Sequence, residues 1–403
     1  MKNQDFARVY HEETKHHPNR YARSAGYMDW PNQPNPFRRY EGAPLHLLPI
    51  QREDASPPYA QLYAPTTNPP QPFNTENHSA MRAMSMGLAA WKSYQGSQWE
   101  LRCNPSSGNL HPTEAYVIAP ALPDLGAPTG VFHYAPREHG LEQRCEFNPQ
   151  TWSQLTAEHP KTHCFVGLSS IHWREAWKYG ERAFRYCQLD AGPALAALAY
   201  AAAALGWRAI LLDALPETAM ALLMGVDRVE DRAGHERERA EALLALVPQD
   251  HPSPIPPGLP RAAIEAVAAS AWRGRANQLS RDHVDWGIID HVADACEKPP
   301  TTAQAYPPHA NTQPRQETRE GPSARTLFLQ RRSAQAMDGE TSIPAETFFQ
   351  MMARALPRTD APPWSALGLA DARVHLGLFV HRVDGLAPGL YCLVRNPNHL
   401  EQL

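Results

Sequence analysis

Residues 102–114 read RCNPSSGNLHPTE, and the apolar run AYVIA follows at once over Ala115–Ala119. Pro105 and Pro112 fix φ and withhold backbone N–H groups, and Gly108 permits φ > 0, so the segment is predicted as one rigid loop that cannot continue as helix. Ser106, Ser107 and Asn109 then present donors and acceptors along a fixed edge. A planar ligand with carbonyls and ring nitrogens, such as a flavin, needs an edge of that kind. A strand is predicted where the loop ends, and the rest of the chain is read outward from there.

Helical and strand-like stretches alternate over residues 75–247. Met81–Lys92 is predicted helical; Ala115–Ala119, Gly130–Tyr134, Cys164–Leu168, Ala209–Leu212 and Leu243–Val247 are predicted strands. Pro216 with Glu217 opens a short helix that Gly225 is placed to close. The alanine-rich run Ala194–Leu205 is about a dozen residues, short of the roughly 20 that span a bilayer, and reads as a long buried central helix. The pattern is α+β.

The chain has 403 residues, 42% of them hydrophobic, with a net charge of −4 from 38 Lys+Arg against 42 Asp+Glu. It is large enough for more than one domain. Its charge balance does not imply nucleic acid as a partner, and the polar N-terminus does not read as a secretory signal. Cys103, Cys145, Cys164, Cys187, Cys296 and Cys392 show no C-x-x-C spacing, which argues against a thiolate zinc site or a disulfide framework, and the cytoplasm is the expected location. Neither His16-His17 nor His111 has a carboxylate or Cys partner at ligand spacing, so no metal is expected.

The 40 prolines, about twice the usual share of ~5%, gather at 248–260 and 299–323, which are predicted as extended connectors. Between them Arg261–Glu297 carries apolar residues at helical spacing, read as two bridging helices. The expected organisation is an N-terminal extension over 1–74, a first lobe over 75–247, linkers with helices over 248–323, and a second lobe over 324–403. That last part holds Arg331-Arg332-Ser333, an amphipathic helix after Pro344, and two strands, His375–Val383 and Gly389–Val394, joined by a turn at 384–388. It stops before any further helix or closing strand.

Arg102–Glu114, Trp177–Arg182 with Arg185-Tyr186, Leu189-Asp190-Ala191-Gly192, Arg331-Arg332-Ser333, and Tyr10-His11-Glu12 with Asp29-Trp30 and Gln33-Pro34 together resemble the FMN-dependent nitroreductase superfamily. Within it, they resemble the SagB/ThcOx-type dehydrogenase branch. The resemblance implies a nitroreductase-like three-layer fold with an antiparallel-dominated sheet, duplicated in tandem with the second lobe incomplete. It implies FMN between two lobes, with Arg331, Arg332 and Ser333 at the phosphate and Arg102, Pro105, Ser106, Ser107 and Asn109 reaching the flavin from the other side. Guanidinium groups match phosphate oxygens bidentately.

Lys178 and Tyr179 correspond to the pair that the branch uses when it oxidises azoline rings in peptides. A base must take a proton as hydride leaves the neighbouring carbon, and Lys178 with Tyr179 as donor can serve. Adjacent residues on a helix do not share a face, so both reach one substrate only at a helix end or in a loop. The branch often has histidine where Pro193 stands. A proline there fits if Asp190 caps a new helix with Pro193 in its first turn. The expected partners are a small-molecule or peptide substrate and a second copy or biosynthetic partner. An NAD(P)H-dependent nitro or quinone reductase and a non-catalytic flavoprotein or interaction subunit remain as alternatives.

Overall fold

The computed structural model describes residues 3–402 apart from 64–67, 159, 233–235, 251–257, 303–320, 359 and 368–371. Much of both proline-rich connectors lies outside the described residues.

The segment after the serine-rich loop becomes the middle of an eight-stranded sheet. In chain order its strands are β1 (Leu45–Leu47), β2 (Thr113–Ala119), β3 (Gly130–Ala135), β4 (Gly140–Glu146), β5 (Cys164–Ile171), β6 (Trp207–Leu211), β7 (Glu238–Pro248) and β8 (Ala271–Trp272). Across the sheet the order is β8, β4, β3, β2, β5, β7, β6, with β1 also pairing β4. Every pairing in it is antiparallel.

Every residue of β2, β3 and β5 is buried. Alternation nevertheless decides which layer each side chain meets. Val117, Val166, Leu168, Leu244 and Leu246 join the core that holds Met81 and Met84 of α1 (Thr75–Ser85) with Ala194 and Leu198 of the long helix α3 (Ala183–Ala204). Tyr116, Ile118, Phe165, Leu243 and Ala245 join the opposite core, with Met220 and Leu223 of α4 (Glu217–Met224) and Ile264 and Val267 of α5 (Arg261–Ala268). Helices thus cover both faces, giving three layers. Each fully buried Leu or Ile stabilises this arrangement by about 1.5–3 kcal/mol. As expected, α4 follows Pro216 and ends at Gly225, whose φ of 68° is left-handed.

Two local expectations are corrected. Helix α1 starts earlier than predicted, at Thr75, where the Asn74 side chain accepts a hydrogen bond from Asn77 N–H at 2.9 Å. It stops at Ser85, and Leu88–Tyr94 forms a hairpin with Ser97–Arg102. Gln95 and Gly96 both have positive φ, 47° and 81°. That is the twist a two-residue hairpin turn requires, and it outweighs the helix preference of Ala89 and Ala90. Pro193 lies inside α3, a continuous helix of 22 residues, rather than in the first turn of a new one capped by Asp190. Its missing N–H leaves the carbonyl four residues earlier, on exposed Leu189, without its usual helical donor, where water can serve.

Helix α6 (Ala324–Gln330) is capped by the Ser323 hydroxyl, which accepts from Thr326 N–H at 3.1 Å. Ala324 is fully buried in the same core as α3, and Phe328 meets the Tyr59 ring edge-on at 6.1 Å. Replacing Ser323 by alanine is expected to cost about 1 kcal/mol, read as a fall in the urea midpoint. Farther on, Ala345–Arg354 is helical and Leu376–Val380 pairs with Gly389–Leu393 as a hairpin. Among the described residues no third strand joins that hairpin.

Candidate functional site

The serine loop is built by strain held from three sides. Gly108, Asn109 and His111 all have positive φ (58°, 60° and 50°), and for the two non-glycine residues that conformation costs of order 1 kcal/mol each. The Asn109 side-chain amide donates to the Glu100 carbonyl at 2.8 Å, and His111 N–H donates to Ser106 Oγ at 2.9 Å. The Arg174 guanidinium donates to the His111 carbonyl. The third hold is Asp190 of α3. It accepts from the Ser106 hydroxyl at 2.7 Å, from the Ser107 hydroxyl at 2.7 Å and from Ser107 N–H at 3.0 Å. Burial lifts the Asp190 pKa above the ordinary carboxylate range even though those donors oppose it.

Lys178 and Tyr179 end helix α2 (His172–Tyr179), and Gly180, with φ 53°, turns the chain immediately after them. Both side chains come to the serine loop. A methyl group on Gly108 would lie 2.6 Å from the Tyr179 hydroxyl and 3.0 Å from Lys178 Nζ, so glycine is needed there for space as well as for φ. Burial pushes the Tyr179 phenol up to about 12, keeping it protonated and able to donate. Tyr186 packs against it with ring centroids 4.2 Å apart and the rings tilted by 34°.

A cleft of about 650 Å³ opens beside the loop, within the ~300–1,000 Å³ usual for small-molecule and cofactor sites. Cys103 and Pro105 form one wall, Pro193, Ala196, Ala197 and Tyr200 of α3 the floor, and Leu327, Phe328 and Arg331 at the end of α6 the far wall. Burial raises the Cys103 thiol to about 12, against an opposing pull from Arg331 and Arg332, so both guanidinium groups lie within electrostatic reach of the loop. The two segments that the sequence separates by more than 200 residues therefore meet. Small residues on the floor and prolines at its edge leave an apolar slot, with Arg331 in its wall. Beneath the cleft wall, the buried Asn104 Oδ1 has no hydrogen-bond partner among the described residues. These residues fit FMN.

The other site residues are placed differently. Arg102 is turned inward, 2% exposed, and its guanidinium donates to the carbonyls of Pro36 and Thr113. Arg332 is exposed and donates to the carbonyls of Leu329 and Arg331 at 2.7 Å each. Ser333 is exposed as well. The Ser106 and Ser107 hydroxyls are directed to Asp190, so what they give a ligand is the shape of the loop and the acceptor capacity of their oxygens.

Sequence reasoning missed the buried charges beneath the loop. Glu114 of β2 is ion-paired with Arg174, and both are nearly inaccessible. His133 bridges Glu114 at 3.0 Å and Glu142 at 2.9 Å, and Arg39 pairs with Glu142 at 2.6 Å. Burial alone would lower the His133 pKa, but the two carboxylates outweigh it and raise it to about 9. Since that exceeds the unfolded value of ~6.5, its contribution is complete below about pH 6.5 and is lost as pH rises through about 9. The urea midpoint is expected to fall across that window by the equivalent of about 2 kcal/mol, and His133→Gln should flatten the fall. A window unchanged in the variant would contradict this. The sequence signal was one acidic or histidine residue in each of the otherwise apolar strands β2 and β3, Glu114 and His133, beside the alternating Glu142, Arg144 and Glu146 of β4, which cannot reveal its partners.

No family model matches the chain, and no curated protein matches it. Among solved structures it is similar to a candidate nitroreductase of Anabaena variabilis: TM-score 0.66, 22% identity, covering 96% of this chain and 76% of that one. The fold is therefore nitroreductase-like, with antiparallel pairing in a mixed helix and sheet architecture. Weaker likenesses are to a candidate nitroreductase of Ralstonia eutropha (TM-score 0.36, 15% identity, 52% of this chain and 94% of that one). The E. coli microcin synthetase complex McbBCD with truncated pro-MccB17 bound is also similar (0.35, 14%, 60% and 80%). Neither of these two carries an argument about this chain. Among the described residues no helix is long and apolar enough to cross a membrane.

Proposed function

We propose that the cleft between the serine loop and Arg331 holds FMN, and that the chain is an FMN-dependent oxidoreductase of the SagB/ThcOx dehydrogenase type. It would exchange a hydride with a small organic or peptide-borne substrate. The observation that carries this reading is the meeting of Pro105 with Arg331 across one apolar slot, with Lys178 and Tyr179 against Gly108 of the same loop. FMN, when bound, supplies the hydride acceptor or donor. Everything else is assigned to this chain's residues. Arg331 would hold the phosphate, with Arg332 and Ser333 beside it. Pro105, Pro193, Ala196 and Ala197 would bound the ring, and Asp190 would keep Ser106 and Ser107 in place at its edge. Lys178 would take or return the proton on the substrate atom next to the one that exchanges hydride, while the protonated Tyr179 donates a hydrogen bond.

The full chain loaded with FMN and held without oxygen should bleach on addition of an azoline-bearing peptide. In Lys178→Ala and Tyr179→Phe the bleaching rate is expected to fall by about 10²-fold or more, with bound flavin unchanged. Variants that bleach like the parent would contradict the assignment. Rapid bleaching by NADPH alone would move the reading to a nitro or quinone reductase.

A further inference from the structure

We infer that Glu175 is an uncharged carboxylic acid in the working protein, and that its proton leaves Asp190 as the carboxylate that positions the serine loop. Glu175 is 0% exposed, and neither of its carboxyl oxygens has a hydrogen-bond partner among the described residues. It lies on α2, one turn before Lys178 and Tyr179. An ionised carboxyl so placed would forgo water without gaining a donor, which is costlier than keeping its proton.

The contrast with Asp190 selects which carboxyl carries the charge. Asp190 receives two hydroxyls and one backbone N–H, whereas Glu175 receives none. The titratable and charged groups that face Glu175 are Asp190 and Cys187 from α3 and Arg174, Lys178 and Tyr179 from its own helix. Burial is the main effect holding its proton on, and the Asp190 charge adds to it, against the pull of Lys178 and Arg174. Two neighbouring buried carboxyls thus share one negative charge. Glu175 is a positioning residue. Were it ionised, the second charge would repel Asp190 and weaken the bonds that set Ser106, Ser107 and the loop bordering the cleft.

The linkage has a definite sign. The folded pKa of Glu175 lies above its unfolded value of ~4.3, so native protein keeps a proton that unfolded chain has released, and Glu175 subtracts stability as pH rises from about that value. Removing the carboxyl relieves that cost.

Three measurements on the full chain test this. A protonated-carboxyl stretch in the infrared spectrum of the parent at neutral pH is expected to disappear in Glu175→Gln. Protection factors for amide exchange over residues 104–112, in which the base catalysis of exchange itself is divided out, should fall at alkaline pH in the parent and stay level in Glu175→Gln. Glu175→Leu, which removes the carboxyl without leaving a polar group, is expected to melt at or above the parent temperature at neutral pH. An infrared band that survives in Glu175→Gln, an alkaline fall in protection that persists there, or a Leu variant that melts well below the parent would each overturn the inference. It rests on the flavin reading only for its bearing on catalysis. If no protein in the set binds FMN while the band and exchange results hold, the proposed function fails and the charge assignment stands.

Discussion

Replacing Arg174 by methionine is expected to lower the stability of the fold by about 3 kcal/mol, toward the low end of the ~3–5 kcal/mol range for breaking a buried ion pair. Arg174 is fully buried and donates both to Glu114 and to the His111 carbonyl. Methionine fills a similar volume, so little of the loss comes from packing. Most of it comes from leaving Glu114 charged in the interior with His133, at 3.0 Å, as its remaining ion-pair partner among the described residues. That surviving contact is why the low end applies. The double variant Arg174→Met with Glu114→Gln should regain much of the loss, because it removes the stranded charge along with its partner. Urea unfolding of the two single variants and the double variant checks this. A double variant no better than Arg174→Met would place the cost elsewhere.

Asp190→Ala is expected to have the second-largest effect, on the order of 2–3 kcal/mol, with a local signature. The carboxylate is the common acceptor for the Ser106 hydroxyl, the Ser107 hydroxyl and Ser107 N–H. Its removal leaves a half-buried N–H and two half-buried hydroxyls to find new partners, each unmet donor costing at most about 1–3 kcal/mol before relaxation and access of water. The loop also carries left-handed Asn109 and His111, so part of the loss should appear as release of the loop, and the strain then stops opposing the native state. Amide exchange should rise by 10-fold or more over residues 104–112 while the strands of the sheet stay protected. Uniform acceleration across the sheet would mean that Asp190 supports the core rather than the loop. Asp190→Asn keeps an acceptor oxygen and should fall between parent and alanine variant.

How much of this was legible in the sequence follows from the range of each interaction. The apolar runs in β2, β3, β5 and β7 marked strands, because a period of two or full burial is written locally. Pro216 and Gly225 bracketed α4 for the same reason. The end of α1 was missed because Leu88–Lys92 is as helix-compatible as it is strand-compatible, and the hairpin is decided by two left-handed residues that follow it. At the site, the left-handed turn at Gly108 and the turn at Gly180 straight after Lys178-Tyr179 were readable. That Ser106 and Ser107 would meet Asp190, 83 residues away in sequence for Ser107, was not, since a buried carboxylate and a solvated one look alike in a sequence. Arg102 was read as reaching outward from the loop. The fold turns it to the carbonyls of Pro36 and Thr113, a choice fixed by the N-terminal segment packing over the hairpin.

Equilibrium titration of FMN into the full chain, followed by quenching of flavin fluorescence, tests the central claim most directly when run beside Ala197→Trp. Ala197 forms the floor of the cleft, and an indole there fills the slot from a helix face that is only half buried. Saturable binding of one FMN per chain in the parent, lost in a folded Ala197→Trp protein and weakened by about 10-fold or more in Arg331→Ala, is the predicted result. A parent that binds no FMN, or an Ala197→Trp protein that binds it as tightly as the parent, would contradict the account.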